Sequence, residues 1–246
     1  MKKSIDISTD DGVAKAAIFR SDKHPDGTSA PGIILYMDAF GPRPTLDGMA
    51  QRLADHGYLV LLPDLFYRYG AYGPFTFASF SDPKERDEIM GMINGTTQAM
   101  TRSDTAAFLK VLDDEGASGA VGTVGYCMGG GRALTAAGAF PDRVVAAASF
   151  HGGGLATEQE DSPHRMAAKG KARIYVGNAG VDGSFPPEQS ARLAEALRVA
   201  EIDYIIENYV GAAHGWTIPD RDGVYDERAA ERHWKRLLDL FSETLG

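Results

Sequence analysis

The chain holds a single cysteine, Cys127, in 246 residues. A lone cysteine cannot close a disulfide within the chain, so nothing points to an oxidising compartment. Basic residues are in the minority, 25 Lys and Arg against 34 Asp and Glu, for a formal net charge of −9. That balance excludes the clustered positive charge that neutralises nucleic-acid phosphates, so no nucleic-acid partner is expected. No apolar run approaches the ~18 residues of a membrane span, and the opening MKKSIDISTDDG holds no signal-peptide core. A cytoplasmic protein with no membrane partner is therefore expected. The zinc signature H-E-x-x-H is absent and cysteines are unpaired, so neither a metal nor another cofactor is expected. No repeat, low-complexity tract or linker interrupts residues 1–246, which read as one domain.

What is present is alternation. Short apolar runs at 13–20, 32–38, 58–64, 120–126, 144–150, 172–178 and 203–209 read as strands, several of them apolar without strict alternation, as in strands covered on both faces. Between them lie helical patterns at 45–56, 82–93 and 97–115, and a helix starting after Pro186 and Pro187. The last helix carries Ala230, Trp234, Leu237, Leu238, Phe241 and Leu245 as one apolar stripe. The expected class is α/β, with a mainly parallel central sheet flanked by helices on both faces.

The cysteine stands in GYCMGGG, residues 125–131, after an apolar strand and before an alanine-rich helix. Gly125 and Gly129 flank it at two residues on either side, giving G-x-C-x-G, the thiol counterpart of the G-x-S-x-G elbow. Small neighbours let strand and helix pack closely while the turning side chain stays exposed, and the helix N-terminus favours thiolate. A buried cysteine in a glycine-rich turn is the alternative reading. The run lacks Gly-Lys-Ser/Thr and does not match G-x-G-x-x-G, which removes the two nucleotide-binding loops.

A nucleophilic thiol needs a base, and the base an orienting acid. In the chain order of such hydrolases both follow the nucleophile, acid first. His214, in GAAHGW at a strand end, fits the base, with His151 in SFHGGG as the rival and a pocket-lining candidate. His164 lies in a polar stretch, and His233 falls on the charged side of the last helix and reads as solvated. Asp182, in VDGSFPP between a strand and a helix, fits the acid, although aspartate before glycine is also a common turn residue. Residues 66–80 hold seven aromatics in fifteen, which reads either as an apolar rim for aromatic ligands or as a loop pinned by its own side chains.

Three stretches, GYCMGG, GYLVLLPDLFYR at 57–68 and GAAHGW, together with VDGSFP, resemble the dienelactone hydrolase family, a branch of the α/β hydrolases with a Cys-Asp-His triad. The resemblance implies an α/β-hydrolase fold and a carboxylic ester hydrolase acting on a small ester or lactone, carboxylate-bearing or aromatic, with Cys127 as nucleophile, Asp182 as acid and His214 as base. It also implies an oxyanion hole from the backbone N–H groups of Ala39 and Met128, and substrate contacts from Asp38, Arg86, His151 and Trp216. The chain departs from the family twice. Asp38 stands where glutamate usually couples substrate binding to thiol activation, and it reads equally as a structural loop acid. Ile218 stands where an arginine would hold the substrate carboxylate. A peroxide-sensitive thiol protein and a non-catalytic binding member of the fold are the rival classes.

Overall fold

A computed structural model describes residues 1–22, 29–117 and 119–245. Eight strands form one sheet in the order β1-β2-β4-β3-β5-β6-β7-β8. β1 (Lys2–Thr9), β2 (Gly12–Phe19) and β4 (Leu59–Pro63) pair antiparallel in that order. β3 (Gly32–Tyr36), β5 (Val121–Tyr126), β6 (Val144–Phe150), β7 (Arg173–Val181) and β8 (Tyr204–Ala213) run parallel to one another and to β4. Every residue of β3, β4 and β5 is buried, the reason these strands read as unbroken apolar runs.

Helices cover both faces. Within β5, Thr123 donates through Oγ1 to the carbonyl of Ala133 on α4 (Met128–Ala139), whereas Gly122 faces Phe241 on α7 (Glu227–Leu245). α1 (Pro44–Asp55) lies beside α7, the Arg52 guanidinium gripping Glu231 at 2.7 Å and lying over the Trp234 ring. On the other face stand α3 (Gln98–Asp114), α4, α5 (Pro163–Ala167) and α6 (Pro187–Val199); α2 (Pro83–Gly95) precedes α3, with Asp82 capping it through bonds from the Lys84 and Glu85 N–H groups.

The mainly parallel sheet with helices on both faces agrees with the sequence reading, and three features revise it. β1 is inconspicuous because only Ile5 and Ile7 are apolar within it; it is an edge strand with Ile7 turned to the core and two exposed lysines at its start. β7 and β8 run several residues past their expected ends, because the two strands go on pairing up to Val181 and Ala213. His233 is not solvated: its side chain is fully buried, accepting from the Tyr126 hydroxyl at Nε2 (3.0 Å) and donating from Nδ1 to the Ala230 carbonyl (2.6 Å). Burial pushes its pKa down to about 3, so the ring is neutral.

The turn from β5 into α4 is built on close backbone approach. A Cβ at Gly125 would sit 1.9 Å from the Gly129 carbonyl oxygen, and one at Gly129 would sit 2.3 Å from the Tyr36 carbonyl oxygen at the end of β3. Replacing Gly129 by alanine is expected to lower stability by about 2 kcal/mol or more, because the obstacle is backbone and cannot rotate away. Gly48→Ala is the control. That glycine is exposed inside α1 with nothing within 4 Å of its Cβ position, and alanine there should raise stability by about 0.5–1 kcal/mol. Denaturant unfolding of the two variants checks both signs.

Candidate active site

Cys127, His151, Asp182 and His214 are each the first residue beyond the C-terminal end of a strand, β5, β6, β7 and β8 respectively. The parallel strands thus deliver four side chains to one edge of the sheet, the usual location of ligand sites in open α/β folds. Cys127 has φ +56°, ψ −122° and is itself the cap of α4. Few non-glycine residues adopt a positive φ, and one that does is held there by its surroundings. The conformation turns the side chain out of the chain path at the helix N-terminus, as the G-x-C-x-G spacing predicts.

The Cys127 thiol and the His214 ring face each other closely enough to shift each other's titration, and His214 donates from Nδ1 to Asp182 Oδ2 at 2.6 Å. Asp182 is fixed in turn by Ser184, whose N–H (2.8 Å) and hydroxyl (2.6 Å) both donate to Oδ1. Burial of the thiol would push it up, but the His214 charge, the hydrogen bond to that ring and the Arg221 guanidinium outweigh burial, and the thiol lies below its ordinary value. Burial would likewise push His214 down, and the facing sulfur and the Asp182 carboxylate raise it instead. Both shifts favour the thiolate–imidazolium form of the Cys127 and His214 pair. Asp182 lies below the usual carboxylate range, since its bonds from His214 and Ser184 outweigh its burial.

The remaining expected groups surround this line. Met128 opens α4, so its N–H has no acceptor inside the helix. The Ala39 loop follows β3, whose end is in backbone contact with Gly129. His151, at φ +40° and buried, accepts from the Cys127 N–H at Nδ1 (3.2 Å) and meets Thr217 Oγ1 at Nε2 (2.7 Å). Trp216 is fully buried, its ring 5.1 Å from that of His151 and 4.7 Å from that of Tyr209, so it backs the site from within.

The sequence profile of the dienelactone hydrolase family matches residues 16–245. The chain belongs to the dienelactone hydrolase family. The carboxymethylenebutenolidase of Rhodococcus opacus is 28% identical over 227 residues, 89% of this chain and 84% of the relative. Among solved structures, the dienelactone hydrolase-like promiscuous phosphotriesterase P91 from metagenomic libraries superposes with a TM-score of 0.78 at 24% identity, over 99% of this chain and 98% of the other. A Pyrobaculum calidifontis esterase superposes with a TM-score of 0.68 at 17% identity, over 97% and 83%. The protein is thus a hydrolase of the ester- or lactone-cleaving kind, on the α/β-hydrolase fold.

Beside the thiol of this dienelactone hydrolase family member lies a cluster of charged side chains. Asp38 is fully buried, with both carboxylate oxygens taken by Arg43 (2.7 and 2.9 Å) and one also by the Phe40 N–H (3.0 Å). Arg43 is held on its far side by Asp220 at 2.7 Å. Ile218 is fully buried. Arg86 lies on the exposed face of α2, its ion-pair partner being Asp87 at 3.7 Å, and is not brought to the thiol by any contact.

Two basic residues that sequence reasoning passed over sit here instead. Arg43 belongs to the run GPRP and Arg221 to PDRDG, both of which look like polar loop. Arg221 is 2% exposed, stacked over the Phe40 ring at 4.8 Å and against Gly215, the residue after His214. Its Nε and Nη2 have no hydrogen-bond partner among the described residues; the nearest carboxylate oxygen, on Asp38, is 3.6 Å from Nη2. The aromatic stretch is mostly self-pinned. Phe66 packs on Tyr69 and Tyr72, Tyr72 stacks on Phe75 and its hydroxyl donates to Asp64, while Phe77 stays partly exposed and faces Arg221.

A thiol below its ordinary value beside an imidazole above its own gives a defined pH window. The pair exists at pH values above the thiol pKa and below that of His214; acid destroys it by protonating sulfur, alkali by deprotonating the ring. Titrated by ultraviolet absorbance, the Cys127 thiolate should appear below the ordinary thiol midpoint near 9, and His214→Gln should move that midpoint upward. An unchanged midpoint in the variant would show that the ring does not stabilise the sulfur.

Proposed function

We propose that this chain hydrolyses a small ester or lactone through a thioester on Cys127. The observation that carries the reading is the Cys127–His214–Asp182 line, with the thiol at a helix N-terminus in a positive-φ elbow. In this mechanism the thiolate attacks the carbonyl carbon, and the developing oxyanion is met by the N–H groups of Met128 and Ala39. The tetrahedral intermediate collapses, breaking the bond to the leaving oxygen, which takes the Nε2 proton of His214. Water then enters, gives a proton to His214 as it attacks the thioester carbonyl, and the carboxylic acid leaves as the sulfur regains its electron pair. Asp182 keeps the ring oriented and stabilises its charged form throughout.

The substrate class follows from Arg221. Nε and Nη2 form the edge of the guanidinium that clamps a carboxylate with two parallel bonds, and here that edge makes no hydrogen bond, its nearest carboxylate being Asp38 at 3.6 Å, whose oxygens are taken by Arg43. The preferred substrate therefore carries an anionic group near its scissile carbonyl, in keeping with the carboxymethylenebutenolidase name of the Rhodococcus opacus relative. The Phe40 and Phe77 rings around Arg221 suit a flat, unsaturated body.

Turnover of p-nitrophenyl esters and cis-dienelactone tests the mechanism. Cys127→Ala and His214→Ala should each cut kcat/KM by a factor on the order of 10³ or more, and mass spectrometry of His214→Ala with substrate should find the acyl group on Cys127. Undiminished activity in Cys127→Ala would remove the thiol from the reaction. Absence of esterase activity in the wild type, with peroxide still modifying Cys127, would favour a redox thiol. For the substrate class, Arg221→Met should reduce the ratio of kcat/KM for a carboxylate-bearing ester over its neutral analogue about tenfold or more, the loss of charge-assisted hydrogen bonds. An unchanged ratio would exclude Arg221 as the anchor.

A further inference from the structure

His151 stands outside the proton relay, yet it touches both of the loops that compose it. Its Nδ1 accepts a hydrogen bond at 3.2 Å from the N–H of Cys127, the nucleophile's own amide, which it shares with the Phe150 carbonyl at 3.1 Å. Nε2 lies 2.7 Å from the hydroxyl of Thr217, three residues past His214 on the same loop and itself buried. Its ring meets that of His214 edge-on at 5.1 Å, and its own N–H is anchored to the Gly177 carbonyl on β7 at 2.9 Å. One imidazole thus ties together the ends of β5 and β8, with its backbone fixed to β7.

The bonding pattern fixes the state of the ring. An amide N–H can be accepted only by an unprotonated nitrogen, so the proton is on Nε2, where it is donated to Thr217. A protonated ring would place Nδ1–H against the Cys127 N–H and break the link. Burial works most strongly against that proton, followed by the charges of His214 and Arg221 and the nearby His233, and together they outweigh the backbone hydrogen bond that favours it. The residue also sits at φ +40°, a conformation costing on the order of 1 kcal/mol that persists only where the surroundings demand it.

We propose that His151 is a positioning residue, a neutral clamp between the elbow amide and the base loop that sets the separation of the Cys127 sulfur and the His214 ring. The proposal rests on Cys127 and His214 being nucleophile and base. Its energetic basis is that a misplacement of about 1 Å between reacting groups costs on the order of 10²-fold in rate, whereas a ring that only fills space would be replaceable by another ring.

Three full-length variants separate the possibilities, each checked for folding by thermal unfolding. His151→Phe keeps a ring and removes both links. His151→Asn places Oδ1 where Nδ1 accepts, and asparagine tolerates the positive φ. His151→Gln reaches toward Thr217 but offers nothing at the Nδ1 position. With p-nitrophenyl acetate, kcat of the phenylalanine variant should fall about 10- to 100-fold, and the thiolate midpoint should rise as sulfur and ring lose their alignment. The asparagine variant should recover most of both, and the glutamine variant less. A folded His151→Phe with wild-type kcat and thiolate midpoint would overturn the proposal, as would a glutamine variant equal to or better than asparagine; that second comparison stands even if phenylalanine does not fold. Full turnover by Cys127→Ala would instead sink the thiol mechanism itself, an outcome separable from any effect at His151.

Discussion

The site depends on one backbone contact, the approach of β5 to the first turn of α4. Gly125 and Gly129 face each other too closely for a side chain on either, and Gly129 also presses on the carbonyl at the end of β3. That crowding forces the chain to turn within a single residue, and Cys127 takes the positive φ that results. The same turn puts the thiol at a helix N-terminus, sets the Met128 N–H beside it and brings the Ala39 loop alongside. A looser turn would move the thiol away from the helix N-terminus, and Gly129 is kept where alanine would make a better helix because its Cβ would strike the Tyr36 carbonyl.

Around the elbow the architecture is a problem of charge balance. The Asp38 carboxylate beside the sulfur opposes a thiolate, and the Arg221 guanidinium favours one. Arg43 takes both oxygens of Asp38 and is itself shared with Asp220, so the buried acid is compensated without consuming Arg221. A buried guanidinium with a free edge is costly unless something occupies it in the working state. The stacking on Phe40 offsets part of that cost and leaves the hydrogen-bonding edge unused. The cation beside the thiol comes from the loop after β8, seven residues past His214.

Much of this was legible along the chain. The strands β3, β4, β5 and β6 announced themselves because central parallel strands are apolar on both faces, and α7 because its stripe repeats at helical spacing. Cys127, Asp182 and His214 could be picked out because each lies within a few residues after an apolar run and their order along the chain is constrained by the sheet. The edge strand β1 could not, since a strand with one wet face and two isoleucines carries almost no apolar signal. His233 was misread as solvated because helical periodicity assigns a face by its majority, and the Tyr126 hydroxyl that makes burial of that ring tolerable lies 107 residues away in the chain.

The sequence by itself determined the elbow, the order of Cys127, Asp182 and His214, and the sheet that presents them, because glycine spacing and apolar periodicity are local properties of the chain. Only the tertiary structure decided which arginine stands free beside the thiol, which carboxylate is already paired, and that His151 joins the elbow to the base loop. Those outcomes depend on partners far apart in sequence, and on burial, which gives a charge or a lone pair its energetic weight only once the surrounding water is gone.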